Sequence, residues 1–162
     1  MVTERSKLKR GWKVSFKIRP TEVVSGWSNI MHATTGGNIA QYGDRTPGIW
    51  FHSQSTRLHI CSAVNGNKNF CFNSEPLPLN EASTIIVQQI QAVENNPQYT
   101  YEIIINGVKA LSVLNDKPGK FENIKYYSSD PWYQAAKVAT LKNFNIEKYK
   151  HTGKSLIFLY FT

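Results

Sequence analysis

The sequence lacks the features that mark several large classes of protein. No run approaches the roughly 18 apolar residues of a membrane-spanning helix, so we expect no transmembrane segment. No repeat of roughly 20–50 residues recurs, which argues against a solenoid or a propeller. Hydrophobic residues make up 41% and aromatic residues 12% of the 162-residue chain, which excludes intrinsic disorder. A chain of this length and composition is expected to form a single domain.

Carboxylates and catalytic motifs are also scarce. The chain has three Asp and no E-x-D-x-E pattern, whereas a retaining glycosidase needs two carboxyl groups about 5–5.5 Å apart. The G-x-S-x-G elbow, the P-loop and the H-E-x-x-H zinc motif are absent. The sequence therefore predicts a protein that is not an enzyme and has no metal site. The alternative, a glycan-cleaving enzyme, would require a second carboxylate beside Glu102, the nearest strand carboxylate.

The N-terminus carries no apolar run of the kind that a secretory signal contains. Residues 1–10, MVTERSKLKR, are polar and basic. We predict a basic extension over 1–10, a β-sandwich domain over 11–149 and an apolar tail over 150–162 whose place in the fold is left open. The chain is then either cytoplasmic or a fragment of a longer secreted or surface protein.

The two cysteines favour the second interpretation. Cys61 and Cys71 flank the segment SAVNGNKNF, with Gly66 midway between them. A three-residue hairpin loop over 65–67 would place the cysteines opposite each other, with Cα atoms about 4.5–5.5 Å apart, within disulfide range. We therefore predict a disulfide and an extracellular location. The alternative is a pair of reduced cysteines in a cytosolic sheet.

Apolar and polar residues alternate through most of the chain, which is typical of strands with one buried and one solvated face. Residues 84–93 are assigned to a strand as well, because β-branched residues dominate there. The dipeptide Asn106-Gly107 predicts a type I′ hairpin, which would pair Ile105 with Val108 and Ile103 with Ala110. Short strands follow each other at roughly 8–12 residue spacing. The pattern predicts an all-β fold of two stacked antiparallel sheets, with segments 12–18 and 139–146 side by side.

The order of the motifs resembles a known superfamily. In chain order they are WKVSFKIRP, NIMHAT, YGDRTPGIWF, TRLHI, YTYEIIINGV, FENIKYYSSDPW and ATLKNFNIEKY. Together they resemble the laminin-G-like, concanavalin A-like jelly-roll domains, over about residues 11–149. The resemblance implies an antiparallel jelly-roll sandwich whose concave face or rim loops bind glycans or proteins, often with Ca²⁺. It does not name the ligand.

The first candidate site is the loop that contains Tyr42, Asp44 and Arg45. An aromatic ring stacks on a sugar, Asp accepts from sugar hydroxyls and Arg donates to them. Ca²⁺ would also find oxygen ligands at Asp44, with Asp116 as the second carboxylate that matches the family. The alternative is a structural loop in which Asp44 caps its own turn. Apart from Ca²⁺ at this loop, no cofactor is expected.

The second candidate site is the segment SSDPWY at 128–133. Trp132 and Tyr133 would form a stacking platform at the rim of the sandwich. The alternative is that Trp132 covers one end of the core.

The third candidate site is a basic surface, in a chain whose formal net charge is +8. Lys13, Lys17 and Arg19 point outward from the first predicted strand. Lys142 and Lys148 lie on or after the last predicted strand. Such a surface attracts sulfated glycans, anionic lipid or nucleic acid. The aromatic residues of the first strand face inward and cannot stack on bases, so we expect no specific nucleic-acid binding. The alternative is a solvated edge that Lys protects against strand pairing.

These observations predict a non-catalytic extracellular recognition module that binds a glycan or a protein. The basic surface would serve anionic, sulfated glycans. The alternative is a structural or adhesion spacer of a larger matrix protein, which would bind no small ligand and would tolerate Ala at the candidate positions.

Overall fold

The structure is a computed structural model that describes residues 2–91 and 98–148. The described residues form twelve strands and no helix. In chain order these are β1 Val2–Leu8, β2 Trp12–Pro20, β3 Ser28–Thr34, β4 Gly48–Phe51, β5 Arg57–Val64, β6 Asn67–Pro76, β7 Ser83–Gln91, β8 Tyr99–Ile105, β9 Val108–Asn115, β10 Phe121–Tyr127, β11 Gln134–Ala135 and β12 Ala139–Lys148. No helix in these ranges is long and apolar enough to cross a membrane.

The strands form two antiparallel sheets. The seven-stranded sheet has the order β1-β10-β3-β4-β5-β6, and the short β11 pairs with β3 in parallel. The five-stranded sheet has the order β12-β2-β7-β8-β9. Ile18 pairs with Leu141 and Val14 with Ile146, so the first and last predicted strands are neighbours. The predicted all-β sandwich of two antiparallel sheets is confirmed.

The core lies between the two sheets and follows the period of two. On β2 the buried residues are Trp12, Val14, Phe16 and Ile18. On the facing sheet the core takes mostly alternate residues, such as Met31 and Ala33, Ile49 and Phe51, or Leu58 and Ile60, and Ile30 and Ala63 are core residues as well. Successive side chains of a strand point to opposite faces, so the residues between these core positions face outward. This parity determines which side chains can form a surface site.

The cysteine hairpin differs from the prediction in its turn but not in its pairing. The turn has two residues, Asn65 and Gly66, both at positive φ. An irregularity between Ser62 and Val64 then shifts the register by one residue, and Cys61 lies opposite Cys71. The predicted disulfide Cys61–Cys71 is present. A two-residue turn followed by one bulge leaves the same number of unpaired residues as a three-residue loop. Both arrangements therefore place Cys61 opposite Cys71.

The second hairpin confirms the turn and corrects the register. Asn106 and Gly107 have φ of 52° and 80°, and Ile105 pairs with Val108 as predicted. A bulge then shifts the pairing, and Ile103 lies opposite Leu111 instead of Ala110. One inserted residue moves every following side chain to the other face. Leu111 therefore packs against the core, whereas the following Leu114 is exposed.

The N-terminal segment is part of the sheet. Residues 2–8, predicted as an extension, form β1 and pair with β10. Leu8 at the end of this strand belongs to the buried core. The predicted apolar tail at 150–162 lies outside the described residues.

Candidate functional site

The outer face of the seven-stranded sheet carries a connected series of aromatic rings. Trp50 is at its centre, because the neighbouring Ile49 and Phe51 point into the core. The ring centroid of Trp50 lies 5.2 Å from that of His32, 6.1 Å from that of His59 and 5.6 Å from that of Tyr133. A Cβ atom at Gly48 would collide with the indole. The missing side chain at Gly48 therefore lets the Trp50 ring lie along the sheet.

Trp27 extends this series in one direction. Its ring centroid lies 4.3 Å from that of His52 and 4.9 Å from that of His59. Trp27 is nevertheless 37% exposed. One side of a large apolar ring is thus supported by the protein while part of the ring faces solvent.

Trp132 extends the series in the other direction. Its ring centroid lies 5.4 Å from that of His32 and 6.1 Å from that of Tyr127. Trp132 is 38% exposed. Two partly exposed indoles are therefore connected through His59, Trp50 and His32 on one face of the sheet, and they lie 105 positions apart in the sequence. We call the surface from Trp27 through Trp50 to Trp132 the aromatic face.

A buried polar contact holds the loop of Trp132 on the sheet. The Nδ1 atom of His32 lies 2.8 Å from Oδ2 of Asp130, and both side chains are fully buried. The other carboxylate oxygen of Asp130 accepts hydrogen bonds from the backbone N–H groups of Trp132 and Tyr133, at 3.1 and 2.9 Å. The Nε2 atom of His32 is 2.6 Å from the carbonyl oxygen of Asp44, so Nε2 carries a proton. The two candidate loops are thus joined through His32.

Arg45 lies over the aromatic face rather than in solvent. Its guanidinium carbon is 4.5 Å from the centroid of the Trp50 ring. The guanidinium donates to Asn69 Oδ1 at 2.7 Å and to the carbonyl and side-chain oxygens of Asn38, each at 3.1 Å. Burial lowers the pKa of Arg45, which a hydrogen bond with Tyr133 partly offsets. Two predicted site residues, Arg45 and Tyr133, therefore meet at Trp50, and Trp132 is connected to Trp50 through His32.

Asp44 is turned toward its own loop. Its carboxylate accepts hydrogen bonds from the backbone N–H of Gln41 at 2.7 Å and of Gly37 at 3.2 Å, and from the hydroxyl of Thr35 at 3.0 Å. Asp44 is 2% exposed. These contacts stabilise the loop that carries Arg45, in the manner of an Asp that caps its own turn.

Tyr42 lies in a different neighbourhood. Its hydroxyl donates to the carbonyl oxygen of Lys117 at 2.8 Å, and its ring packs 5.8 Å from that of Phe121. Burial raises the pKa of Tyr42, and the charge of Asp116 raises it further. Tyr42 therefore joins its loop to the turn at 115–119. Calcium binding at Asp44 and Asp116 stays a prediction.

The basic surface lies on the outer face of the five-stranded sheet. Lys17 and Lys142 are directly opposed across the β2–β12 pair, and Arg19 is opposite Thr140. A cavity of about 300 Å³ lies there, and its lining contains three cations and no carboxylate: Lys17, Ile18, Arg19, Ala82, Thr140 and Lys142. We call this the basic cavity. Like charges that face each other across a ladder repel, so this arrangement favours an anion.

The remaining two predicted cations do not join the basic cavity. Lys13 forms an ion pair of 3.3 Å with Glu147. Burial lowers the pKa of Lys148, and the charge of Lys9 lowers it further. The structure therefore brings together three of the five predicted anion-binding residues.

Sequence reasoning missed several residues of the aromatic face, namely Trp27, His32, Trp50, His59 and Asp130. The alternation in NIMHA and GIWFH places His32 and Trp50 on the solvent side of their strands, and this signal was available. The contacts of Trp27 and Asp130 depend on loops, for which the sequence pattern has no period.

Comparisons with known proteins agree with the observed topology. No protein-family model matches the sequence, and no curated protein matches it. Among solved structures, a glucuronan lyase from Trichoderma reesei matches with a TM-score of 0.54 and 10% identity, covering 89% of this chain and 71% of that chain. An alginate lyase in complex with alginate trisaccharide matches with a TM-score of 0.53 and 13% identity, covering 92% and 75%.

The chain has the concanavalin A-like jelly-roll fold. Botulinum neurotoxin type C, whose cell entry depends on two ganglioside molecules, also matches, with a TM-score of 0.53 and 15% identity. That match covers 84% of this chain and 32% of the toxin chain. At these identities the likeness shows the fold alone.

The prediction that the protein is not an enzyme is contradicted by these matches. Two of the three structures are polysaccharide lyases. A lyase cleaves by elimination, so the carboxylate pair that hydrolysis by a glycosidase requires is not a test for it. The scarcity of carboxylates excluded one reaction class only. The low identity, in turn, assigns no reaction to this chain.

Proposed function

We propose that the protein binds carbohydrate on its aromatic face, with Trp27 and Trp132 as the stacking platforms. The observation that carries the proposal is that two partly exposed indoles are held on one sheet face, Trp27 against the half-buried His52 and Trp132 against the buried His32. The C–H face of a sugar ring packs on such an indole, and hydroxyl groups at its edge need donors and acceptors. The proposed ligand class is consistent with the ganglioside and alginate named for two proteins that share this fold.

The aromatic face is suited to this role because its rings are held in place before binding. Trp132 is connected through its backbone N–H to Asp130, which is itself anchored on buried His32. Side chains that are already ordered lose little entropy when a ligand packs on them. Polar groups stand beside the rings, among them the exposed Asn73 and the half-buried His52. They supply hydrogen-bond partners for sugar hydroxyls.

The basic cavity supports a preference for anionic polysaccharide. Lys17, Arg19 and Lys142 share a cavity whose lining lacks a carboxylate. A sulfate or carboxylate group placed there would relieve the repulsion between the opposed lysines. The disulfide is consistent with an extracellular location, where such polysaccharides occur. We therefore propose an extracellular protein that binds acidic glycans, and the basic cavity, on the outer face of the other sheet, is a separate anion site.

A binding assay with matched variants tests this proposal. Sulfated, uronate-containing and neutral oligosaccharides are titrated against the wild type, Trp27→Ala, Trp132→Ala and, as control, Leu114→Ala, another exposed apolar residue that lies on β9 of the other sheet. We expect each Trp variant to lose at least about fivefold in affinity, or roughly 1 kcal/mol, and the control to match the wild type. Binding that both Trp variants retain would place the ligand elsewhere.

The same mixtures decide two further points. Ultraviolet absorbance that grows with time in uronate polymers would show that bound polysaccharide is also cleaved by elimination. No binding of any glycan would contradict the proposal and favour the structural spacer instead. Because the variants are surface substitutions, their circular dichroism should match that of the wild type in either case.

A further inference from the structure

We propose that reduction of the Cys61–Cys71 disulfide creates a zinc site, in which both thiolates and the imidazole of His59 are the ligands. One cluster on β5 and β6 carries this inference, and it does not depend on carbohydrate binding. The candidate ligand atoms of His59, Cys61 and Cys71 all lie within 4.8 Å of one another.

The sheet geometry places the cluster on one face. His59 and Cys61 are two residues apart on β5, so their side chains project to the same side. Across the ladder, Cys71 is directly opposite Cys61 and Asn73 is directly opposite His59. Four side chains therefore form a compact rectangle on the outer surface of the seven-stranded sheet. The disulfide form therefore already holds the three candidate ligands together.

His59 is already oriented as a metal ligand. Its Nδ1 atom lies 2.7 Å from Oδ1 of Asn73, so the ring donates its Nδ1 proton to that amide oxygen. The Nε2 atom then keeps its lone pair, and it lies 3.0 Å from Sγ of Cys61. Metal-bound histidines generally donate their second ring nitrogen in this way, which sets both the tautomer and the ring orientation. Asn73 is thus a positioning residue.

The aromatic neighbours restrict the motion of the imidazole. The ring of Trp27 packs 4.9 Å from that of His59 in an edge arrangement, and the ring of Trp50 lies 6.1 Å from it. The lone pair of Nε2 is therefore held toward the sulfur atoms rather than toward solvent. Three protein ligands with a water molecule in the fourth position match the coordination of Zn²⁺ by nitrogen and sulfur.

The reduction requires a two-electron reductant, for example a dithiol. Its first thiolate attacks Sγ of Cys71, which is half-buried, and the S–S bond breaks with Cys61 as the leaving thiolate. The second thiolate of the reductant then displaces Cys71, so the reductant leaves as a cyclic disulfide. The two cysteines together gain two electrons and two protons. Zn²⁺ subsequently replaces the two thiol protons, which pass to solvent.

Cobalt titration tests the proposal, since Co²⁺ bound by thiolate absorbs in the near ultraviolet and visible. The full chain is reduced with a phosphine, desalted without oxygen and titrated with Co²⁺ and then Zn²⁺. We expect one equivalent of Co²⁺ to produce thiolate charge-transfer and tetrahedral bands that Zn²⁺ abolishes. The oxidised protein should show neither band. Absence of these bands from the reduced protein would overturn the proposal.

Variants separate the roles of the side chains. His59→Ala should weaken Co²⁺ binding at least about tenfold, and Asn73→Ala should weaken it by about 10- to 100-fold. Asn73→Asp keeps an acceptor for Nδ1–H and should restore binding. Glu75→Gln, at an exposed carboxylate on β6 outside the cluster, should leave the affinity unchanged. Equal affinities of His59→Ala and wild type, or loss of the strand signal in circular dichroism on reduction, would contradict the site.

Discussion

His32 and Asp130 form a side-chain hydrogen bond of 2.8 Å in which both partners are fully buried, although 98 residues separate them in the sequence. This contact connects β3 to the loop that presents Trp132. It also leaves little freedom for either side chain, because each makes further hydrogen bonds to backbone groups. The position of one stacking platform therefore depends on a polar pair beneath it.

The first prediction concerns this pair. His32→Ala should lower the free energy of unfolding by about 3–5 kcal/mol, because the carboxylate of Asp130 would stay buried without its partner. Denaturant unfolding measures the loss. His52→Ala, a half-buried histidine on the same face, is the control and should cost less than about 1 kcal/mol. A loss of under about 1 kcal/mol for His32→Ala would contradict the structural role that we assign to the pair.

The second prediction concerns the opposed lysines of the basic cavity. The double variant Lys17→Gln with Lys142→Gln should be more stable than the wild type by about 0.2–1 kcal/mol at low salt, because it removes a like-charge pair. The gain should disappear at high salt, where the repulsion is screened. The same variant should elute from heparin at lower salt than Lys120→Gln with Lys137→Gln, which has the same charge change outside the cavity. Identical elution of the two double variants would contradict the basic cavity as an anion site.

The third prediction concerns acid stability. Burial by itself would raise the pKa of Glu102, but hydrogen bonds from Lys109 and Gln88 lower it overall. A carboxyl group whose folded pKa is lowered contributes its full stability above its unfolded pKa of about 4.3 and loses it as the pH falls through the folded value. Glu102→Gln should therefore lower the free energy of unfolding by about 1 kcal/mol at pH 7, and by progressively less below about pH 4.3. The expected loss is modest because Lys109 is half-exposed.

Thermal unfolding across the acid range checks this prediction. Glu75→Gln is the matched control, because its ion pair with Arg57 is exposed on both sides. The unfolding temperature of the control should equal that of the wild type at every pH. A cost for Glu102→Gln that does not change with pH would show that packing, rather than charge, is responsible.

The fourth prediction concerns the disulfide. The variant Cys61→Ala with Cys71→Ala should lose about 2–3 kcal/mol, because the bridge restricts a short loop of the unfolded chain. Equilibrium unfolding of the variant and of the intact protein, both without reductant, measures the difference. A change below about 0.5 kcal/mol would mean that the β5–β6 ladder holds the hairpin without help from the bridge.

The sequence by itself determined the alternating core strands and one hairpin turn, but not β1, which was predicted as an extension. Alternation on β2 placed Trp12, Val14, Phe16 and Ile18 inward, because a strand exposes its side chains to two faces in turn. The dipeptide Asn106-Gly107 specified its hairpin, because both residues accept positive φ. Spacing around Gly66 predicted the cysteine pair, which the structure reaches through a two-residue turn and a bulge. These features are local, so a window of about ten residues contains the physical cause of each.

Only the tertiary structure decided the bulges and the aromatic face. One inserted residue exchanges the two faces of a strand, and nothing in the pattern of β9 marks where that residue enters. The aromatic face needs Trp27, Trp50 and Trp132, whose neighbourhood arises when distant strands and loops meet. Loop positions are set by contacts such as that between His32 and Asp130, which couple residues far apart in sequence and have no period for a local pattern to reveal.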